Sequence, residues 1–307
     1  MRVVFMGTPD FAVSSLAALY EDGGYDICGV FTRADKARNR GMKLSYSPVK
    51  EYAVSRDLQV YQPESLRDGE AAQKLKDLKP DLVAVVAYGM ILPEEILNIP
   101  PLGAINVHAS LLPKYRGSAP IQWSIINGEK TTGVTTMYMV PKLDSGDIID
   151  VAETDIGQEE TYGQLHDRLK TMGAQLLLKT LGDIKNGCIK KLPQDESLAT
   201  YAPSIKKADT VLDWSRPARD IVNKVRGLNP KPGARTVLGG TSFKIFKTKK
   251  CDIETRAEPG KIISAGGAGI QVACGKGEAV LITELQAPGG KRMSASDYLR
   301  GHSIEID

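Results

Sequence analysis

Apolar positions in the first half of the chain fall into two rhythms that take turns. Arg2–Gly7 is a short apolar run ending in glycine, and Phe11–Tyr20 then places Phe11, Leu16, Leu19 and Tyr20 at near-helical spacing. Asp26–Phe31 reads as a second strand, Pro48–Arg56 as a helix with proline in its first turn, and Ala71–Leu78 as another helix. Asp81–Ala87 is apolar without alternation, the pattern of a strand covered on both faces inside a parallel sheet. Gly103–His108 and Thr132–Met139 supply further strands, and Thr161–Leu181 a long amphipathic helix. Strands alternating with helices predict an α/β fold: a doubly wound, Rossmann-like, mostly parallel sheet. In such sheets ligands bind beyond the carboxyl ends of the strands.

The pattern changes after Gly187. Residues 190–206 contain Pro193 and Pro203, many polar residues and little periodicity, and read as a linker. Beyond it, Ser242–Thr248, Lys261–Ser264, Gly269–Ala273 and Ala279–Leu285 are short β-like runs separated by glycine-rich turns, with short helices over Arg216–Arg226 and Ser294–Leu299. A small β-barrel, OB-like, suits such a segment. The expected organisation is a catalytic domain over residues 1–189, a linker over 190–206 and a β-barrel over 207–307.

Composition changes this picture only through its distribution. The length of 307 residues fits two domains at about 150 residues each. Ordinary apolar and charged content excludes disordered, collagen-like and coiled-coil chains. The net charge of +3 hides an asymmetry: residues 207–307 hold 17 basic and 11 acidic side chains, a net of +6, and the rest of the chain is net −3. A basic appendage on a slightly acidic body suits a polyanion partner, although a solvated basic surface reads the same way. The start of the chain lacks the pattern of a signal peptide, and the longest near-apolar run, Leu82–Leu92, is well short of the roughly 20 residues that span a bilayer. Cys28, Cys188, Cys251 and Cys274 form no CxxC pair, and with only His108, His166 and His302 no zinc spacing exists. A reduced, cytoplasmic, metal-free protein away from membranes is expected, and a monomer.

The turn Gly7-Thr-Pro-Asp10 after the first strand carries a single glycine, so it is neither a dinucleotide fingerprint nor a P-loop. The informative stretch is Ile105 to Gly117. Asn106 and His108 lie two apart on a strand and share a face, where the strand gives way to a loop containing Pro113 and Gly117. Asp144 stands at the tip of a second loop, Val140–Asp147, after another strand. An amide, an imidazole and a carboxylate at neighbouring strand ends are the parts needed for acyl transfer to an amine. The amide donates to a developing oxyanion, the imidazole relays a proton, and the carboxylate orients the imidazole. Each residue has an ordinary alternative: a satisfied core histidine, a strand-end asparagine, an aspartate in a Ser-Gly turn.

Asn106-Val-His108, Ser110-Leu-Leu-Pro113, Arg116-Gly117 and Asp144-Ser-Gly-Asp147 together resemble the signature of the folate-dependent formyltransferases. Phe5-Met-Gly-Thr-Pro-Asp-Phe-Ala12, Pro120-Ile-Gln-Trp123 and Met293-Ser-Ala-Ser-Asp297 narrow the resemblance to the branch that formylates the methionine carried by initiator tRNA, and extend it over nearly the whole chain. The resemblance implies 10-formyltetrahydrofolate as formyl donor, no metal, and methionyl initiator tRNA as partner. It implies catalytic roles for Asn106, His108 and Asp144. It implies folate contacts at Ser110, Leu111, Leu112 and Pro113, and pterin contacts at Tyr88, Ile91, Leu92 and Val140. Ala109 is one departure, since many members carry glycine after the histidine.

Arg33–Lys43 holds five basic residues and one acid. Taken by itself it is a basic loop at the carboxyl edge of the sheet, and a solvated charged loop has the same composition. The resemblance implies that it enters the tRNA acceptor stem through Arg40, with Arg38 and Lys43 in support. Lys206, Lys207, Arg226, Lys244, Lys247, Lys249 and Lys250 are the C-terminal candidates for the tRNA body. Phosphate contacts of this kind weaken steeply with salt. The rival readings are a formyltransferase for an amino-sugar nucleotide or phosphoribosylglycinamide, a formyltetrahydrofolate hydrolase, and a tRNA-binding module on an inactive scaffold. The basic loop and basic C-terminal region disfavour the small acceptors, and the intact Asn106, His108 and Asp144 disfavour the last.

Overall fold

A computed structural model describes residues 1–38 and 43–306. The first half runs β1 (Arg2–Gly7), α1 (Asp10–Asp22), β2 (Asp26–Phe31), β3 (Lys36–Arg38), β4 (Lys43–Ser45), α2 (Pro48–Ser55), β5 (Val60–Tyr61), α3 (Glu70–Leu78), β6 (Leu82–Val86), α4 (Glu94–Leu97), β7 (Ala104–His108), α5 (Pro120–Ile126), β8 (Thr131–Tyr138), β9 (Ile148–Asp155) and α6 (Tyr162–Lys185). The main sheet has the order β5-β2-β1-β6-β7-β8-β9. β5, β2, β1, β6 and β7 are parallel, and β8 turns antiparallel to β7. The chain leaves β1 to one side for β2 and returns to its other side for β6, so the winding reverses there and a crevice opens at the carboxyl ends.

Local chemistry explains the elements. Every residue of β6 is buried, and Val3–Met6 of β1 are fully so, as unalternating apolar runs require. Ser47 caps α2 by accepting from the Lys50 amide at 3.1 Å, with Pro48 in the first turn. Thr161 and Gln164 form a capping box ahead of α6: the Gln164 side chain accepts from the Thr161 amide at 2.9 Å, and the Thr161 hydroxyl from the Gln164 amide at 3.4 Å. One face of the sheet buries Val4, Met6, Val83, Val85 and Ala104 against Ala71, Ala72 and Leu75 of α3 and Ile96 and Leu97 of α4. Val85 pairs with Asn106 in register, so the same sheet face, continued one strand further, carries the candidate site.

The rest of the chain comprises α7 (Ala218–Gly227), β10 (Ala234–Leu238), β11 (Thr241–Lys250), β12 (Ile262–Gly266), β13 (Gly269–Cys274), β14 (Glu278–Gln286), β15 (Met293–Ser294) and α8 (Ala295–Gly301). These strands form an antiparallel sheet ordered β10-β11-β14-β13-β12, with β15 on β14. Its core joins Ile221 and Val225 of α7 to Phe243, Ile245, Ile270, Val272, Val280, Ile282 and Leu285, and Tyr298 of α8 packs edge-on against Phe243.

The chain divides into two compact units whose segments interleave. One contains residues 1–117, 133–154 and 166–201; the other contains 118–132, 155–165 and 202–307. Within the second unit α5 packs on α7 closely enough that a side chain at Gly227 would stand 2.7 Å from Ile126. Strand β9 and the short helices α4 and α5 carry too few residues or too weak a periodicity to be read from the sequence.

Candidate functional site

Strand β7 aims Asn106 and His108 at one face because side chains alternate along a strand. Both are buried, with 9% and 6% of their surfaces exposed. No described residue hydrogen-bonds to the Asn106 carboxamide, which leaves its donors for a ligand.

His108 is oriented from two sides. Its Nε2 lies 2.9 Å from the carbonyl oxygen of Tyr115. A carbonyl only accepts, so Nε2 carries the hydrogen and Nδ1 is the nitrogen left to exchange a proton. Nδ1 in turn faces Asp144 Oδ2 at 3.7 Å.

Asp144 reaches this position by an indirect route. Because β8 runs antiparallel, its end lies beside the beginning of β7: Ile105 pairs with Tyr138, and the Met139 amide donates to the Ala104 carbonyl at 2.8 Å. The sequence expectation of neighbouring strand ends is therefore corrected. The 139–147 loop instead folds back to bring Asp144 to His108. Asp144 adopts a left-handed backbone with φ +46°, a conformation aspartate tolerates better than most residues. Its Oδ2 also accepts from the Gly117 amide at 2.7 Å.

Within the 190–206 segment expected to be a linker, Gln194, Glu196 and Thr200 bond to residues of the site. The Arg116 amide donates to the Thr200 carbonyl at 2.8 Å, and the Tyr115 amide to the Thr200 hydroxyl at 2.9 Å. The Arg116 side chain is fully buried and grips Glu196 with two bonds, at 2.9 and 3.2 Å. Gln194 accepts from the same guanidinium at 2.8 and 3.1 Å and donates to the carbonyls of Asp144 at 2.9 Å and Gly146 at 2.7 Å. Lys142 also bonds Glu196, at 2.6 Å. Hydrogen bonds from Arg116, then Lys142, pull the Glu196 carboxyl down to about 2. Gln194, Glu196 and Thr200 carry no signal in the sequence, because a bond across some 80 residues leaves no periodic trace.

The candidate folate residues fall into two groups. The Ser110 hydroxyl is buried and donates to the Lys114 carbonyl at 2.7 Å, and Leu112 belongs to a small core with Met137 and Ile148. Leu111 is half-buried over Gly133 of β8, and Pro113 is half-buried, its carbonyl meeting the Thr200 amide at 3.4 Å. Tyr88 and Leu92 belong to the core above the sheet. Tyr88 is 2% exposed, its hydroxyl has no partner among the described residues, and burial pushes that hydroxyl up to about 12. Ser110, Leu112, Tyr88 and Leu92 therefore have side chains buried within the protein. Ile91 and Val140 are exposed, as is Leu143, which the sequence did not mark. The turn holding Ile91 is tied to the base of the basic segment: Thr8 donates to the Tyr88 carbonyl at 2.7 Å, and Arg33 to the Gly89 carbonyl at 3.1 Å.

The basic candidates separate likewise. Arg38 and Lys43 pair across the β3–β4 hairpin, and Arg40 lies outside the described residues. Lys206 and Lys207 are exposed. Lys247 and Lys249 share the outer face of β11, both exposed and neither ion-paired among the described residues. Lys244 is half-buried. Arg226 is half-buried and donates to the carbonyls of Gly157 and Glu160, and the exposed Lys250 is ion-paired with Glu278 at 2.5 Å. The one group of described residues with metal-ligand spacing, Asp10, His166 and Asp167, lies at the surface, with Asp167 already ion-paired to Lys170 at 2.7 Å. No described helix is long and apolar enough to cross a membrane.

The profile of the formyl transferase family matches residues 1–181, and that of the formyl transferase C-terminal domain matches residues 204–303. The chain is 49% identical over 304 residues to a methionyl-tRNA formyltransferase of Bacillus subtilis (strain 168), covering 99% of this chain and 96% of that protein. It is 50% identical over 305 residues to one of Alkaliphilus oremlandii (strain OhILAs), covering 99% and 98%. Among solved structures, an N-formyltransferase of Helicobacter canadensis in complex with folinic acid and dTDP-3-aminofucose has the same fold, with a TM-score of 0.69 at 20% identity over 91% of this chain and 98% of that one. HypX of Aquifex aeolicus in complex with tetrahydrofolic acid matches at a TM-score of 0.63 and 18% identity over 97% of this chain, which spans about half (47%) of that protein.

Proposed function

The chain belongs to the formyl transferase family, and we propose that it moves the formyl group of 10-formyltetrahydrofolate to the α-amino group of methionyl initiator tRNA, giving N-formylmethionyl-tRNA for translation initiation in the cytoplasm. The observation that carries the reading is the Asn106 carboxamide. It is bonded to no described residue and is set on one strand face with His108, which faces Asp144. Near-half identity to methionyl-tRNA formyltransferases over both units, including the basic C-terminal one, supports tRNA as the acceptor.

In the reaction a bond forms between the α-amino nitrogen and the formyl carbon, and the bond from that carbon to the folate nitrogen breaks. His108 Nδ1 and Asp144 together receive the proton that the attacking amine loses. The imidazolium so formed and the Asn106 N–H stabilise the oxyanion of the tetrahedral intermediate. The Asp144 charge holds the imidazolium, and His108 returns the proton to the departing folate nitrogen. The exposed Ile91, Val140 and Leu143 make an apolar wall for the pterin, beside backbone groups of the 88–92 turn. Arg38, Arg40 and Lys43 engage the acceptor stem. Lys206, Lys207, Lys247 and Lys249 hold the tRNA body through phosphates.

An acceptor comparison tests this. The protein is given 10-formyltetrahydrofolate with methionyl initiator tRNA, free methionine, a dTDP-amino sugar or water. Formylation of the charged tRNA above all others is expected. Preference for the sugar, or folate hydrolysis without transfer, would replace the reading.

A further inference from the structure

We infer that Gln194 is a positioning residue for the transfer reaction: it locks the backbone of the Asp144 turn to the buried Arg116 guanidinium and so sets the distance between the Asp144 carboxylate and His108. The inference rests on the assignment of Asp144 to the transfer step.

Four groups meet at the Gln194 amide, one of them the Met137 sulfur, 3.8 Å from its nitrogen. Its NH2 donates to two carbonyls on either side of Ser145, those of Asp144 and Gly146, at 2.9 and 2.7 Å. Its oxygen accepts twice from Arg116, at 2.8 and 3.1 Å. A single side chain with two donors and one acceptor fits this arrangement, and only an amide supplies both kinds from one planar end. The turn it holds needs holding. Asp144 is in the left-handed region, and Gly146 is pressed so closely on β8 that a Cβ there would stand 1.8 Å from the Tyr138 carbonyl.

The other end of the lock leads back to the site. Arg116 lies between Tyr115, whose carbonyl accepts from His108, and Gly117, whose amide donates to the Asp144 carboxylate at 2.7 Å. Gly117 has φ +122°, a conformation suited to glycine. The Tyr115-Arg116-Gly117 tripeptide therefore touches both members of the His108–Asp144 pair, while Gln194 ties it to the backbone of the second member. Glu196 closes the far side of the guanidinium and is itself exposed, so the buried charge is neutralised without Gln194. This leaves the amide to position the turn and frees it from compensating the charge.

The test is a double-mutant cycle on the full-length protein, combining Gln194→Glu with Asp144→Asn. Glutamate keeps the length of the chain and the acceptor for Arg116 but has no donor for the two carbonyls. A shift of about 1 Å in a catalytic group can reduce a rate by roughly 10²-fold. Gln194→Glu is expected to lower kcat about tenfold to a hundredfold, to leave KM for both substrates within about twofold, and to lower the rate little further when Asp144 is already Asn. A kcat within about twofold of the parent, a loss carried mainly by KM, or losses that multiply fully in the double variant would overturn the inference. If Gln194→Glu does not fold, Gln194→Met, of similar length and without polar groups, takes its place in the cycle. Failure of both to fold also overturns it, since the residue would then be structural. If Asp144→Asn alone keeps parental kcat, the assignment of Asp144 fails, and that outcome is separate from the others.

Discussion

Replacing Asn106 by alanine separates catalysis from stability. Asn106 is 9% exposed and its carboxamide bonds to no described residue, so its removal leaves no protein donor or acceptor newly unpaired. The loss in stability is then confined to packing and is expected to stay below about 1 kcal/mol, a fall in Tm of less than roughly 4 °C. The transfer step loses an oxyanion donor. Such donors are worth about 10²–10³ in kcat, or roughly 2.7–4 kcal/mol of barrier. Steady-state formylation at saturating folate and tRNA, together with calorimetry, measures both. A kcat reduced 10²-fold or more with a nearly unchanged Tm is the expected pair. A kcat within about tenfold of the parent would refute the oxyanion role. A Tm lowered by more than about 10 °C would show that the amide is structural after all.

Three further expectations follow from other parts of the molecule. Glu196 titrates near 2 when folded against an ordinary glutamate value of 4.5. A depressed carboxyl stabilises the fold above its unfolded pKa and loses that contribution as pH falls from about 4.5 towards 2, so Tm in Glu196→Gln should vary less with pH across this window than in the parent, and an equal slope would contradict the Arg116 clamp. Tyr88→Phe deletes a buried hydroxyl that has no partner among the described residues, and the variant should be as stable as the parent or up to about 1 kcal/mol more so; calorimetry that shows a loss above about 1 kcal/mol would mean that the hydroxyl is bonded in solution. Lys247→Ala with Lys249→Ala should weaken tRNA binding uniformly and make the plot of log K against log salt shallower by roughly 2 units, whereas an unchanged slope would remove β11 from the RNA surface.

The sheet was legible because its central strands are apolar on both faces, and Asn106 and His108 could be placed together because a strand has a period of two. The direction of β8 was not legible: Thr131–Tyr138 shows the same apolar run whether parallel or antiparallel, and only the pairing of Ile105 with Tyr138 reveals that Asp144 must fold back to reach His108. Residues 190–206 read as a linker for lack of periodicity, yet 190–201 belong to the first unit. Their role depends on single polar contacts with partners such as Arg116 and Gly146, and such contacts follow no repeat. Among the folate candidates, the sequence did not distinguish exposed side chains, such as Ile91, from those such as Leu112 that are packed in a core. Arg226 illustrates the same limit among the basic residues, because a guanidinium bonded to two carbonyls and one facing a phosphate look identical in sequence.

Single-turnover transfer is the most direct test of the whole account. Excess protein is mixed with labelled 10-formyltetrahydrofolate and methionyl initiator tRNA, and the label on the methionine amino group is followed with time. Stoichiometric appearance of N-formylmethionyl-tRNA is expected, slowed by about 10²-fold or more in Asn106→Ala. No label on the charged tRNA, while the folded protein still binds folate, would contradict it.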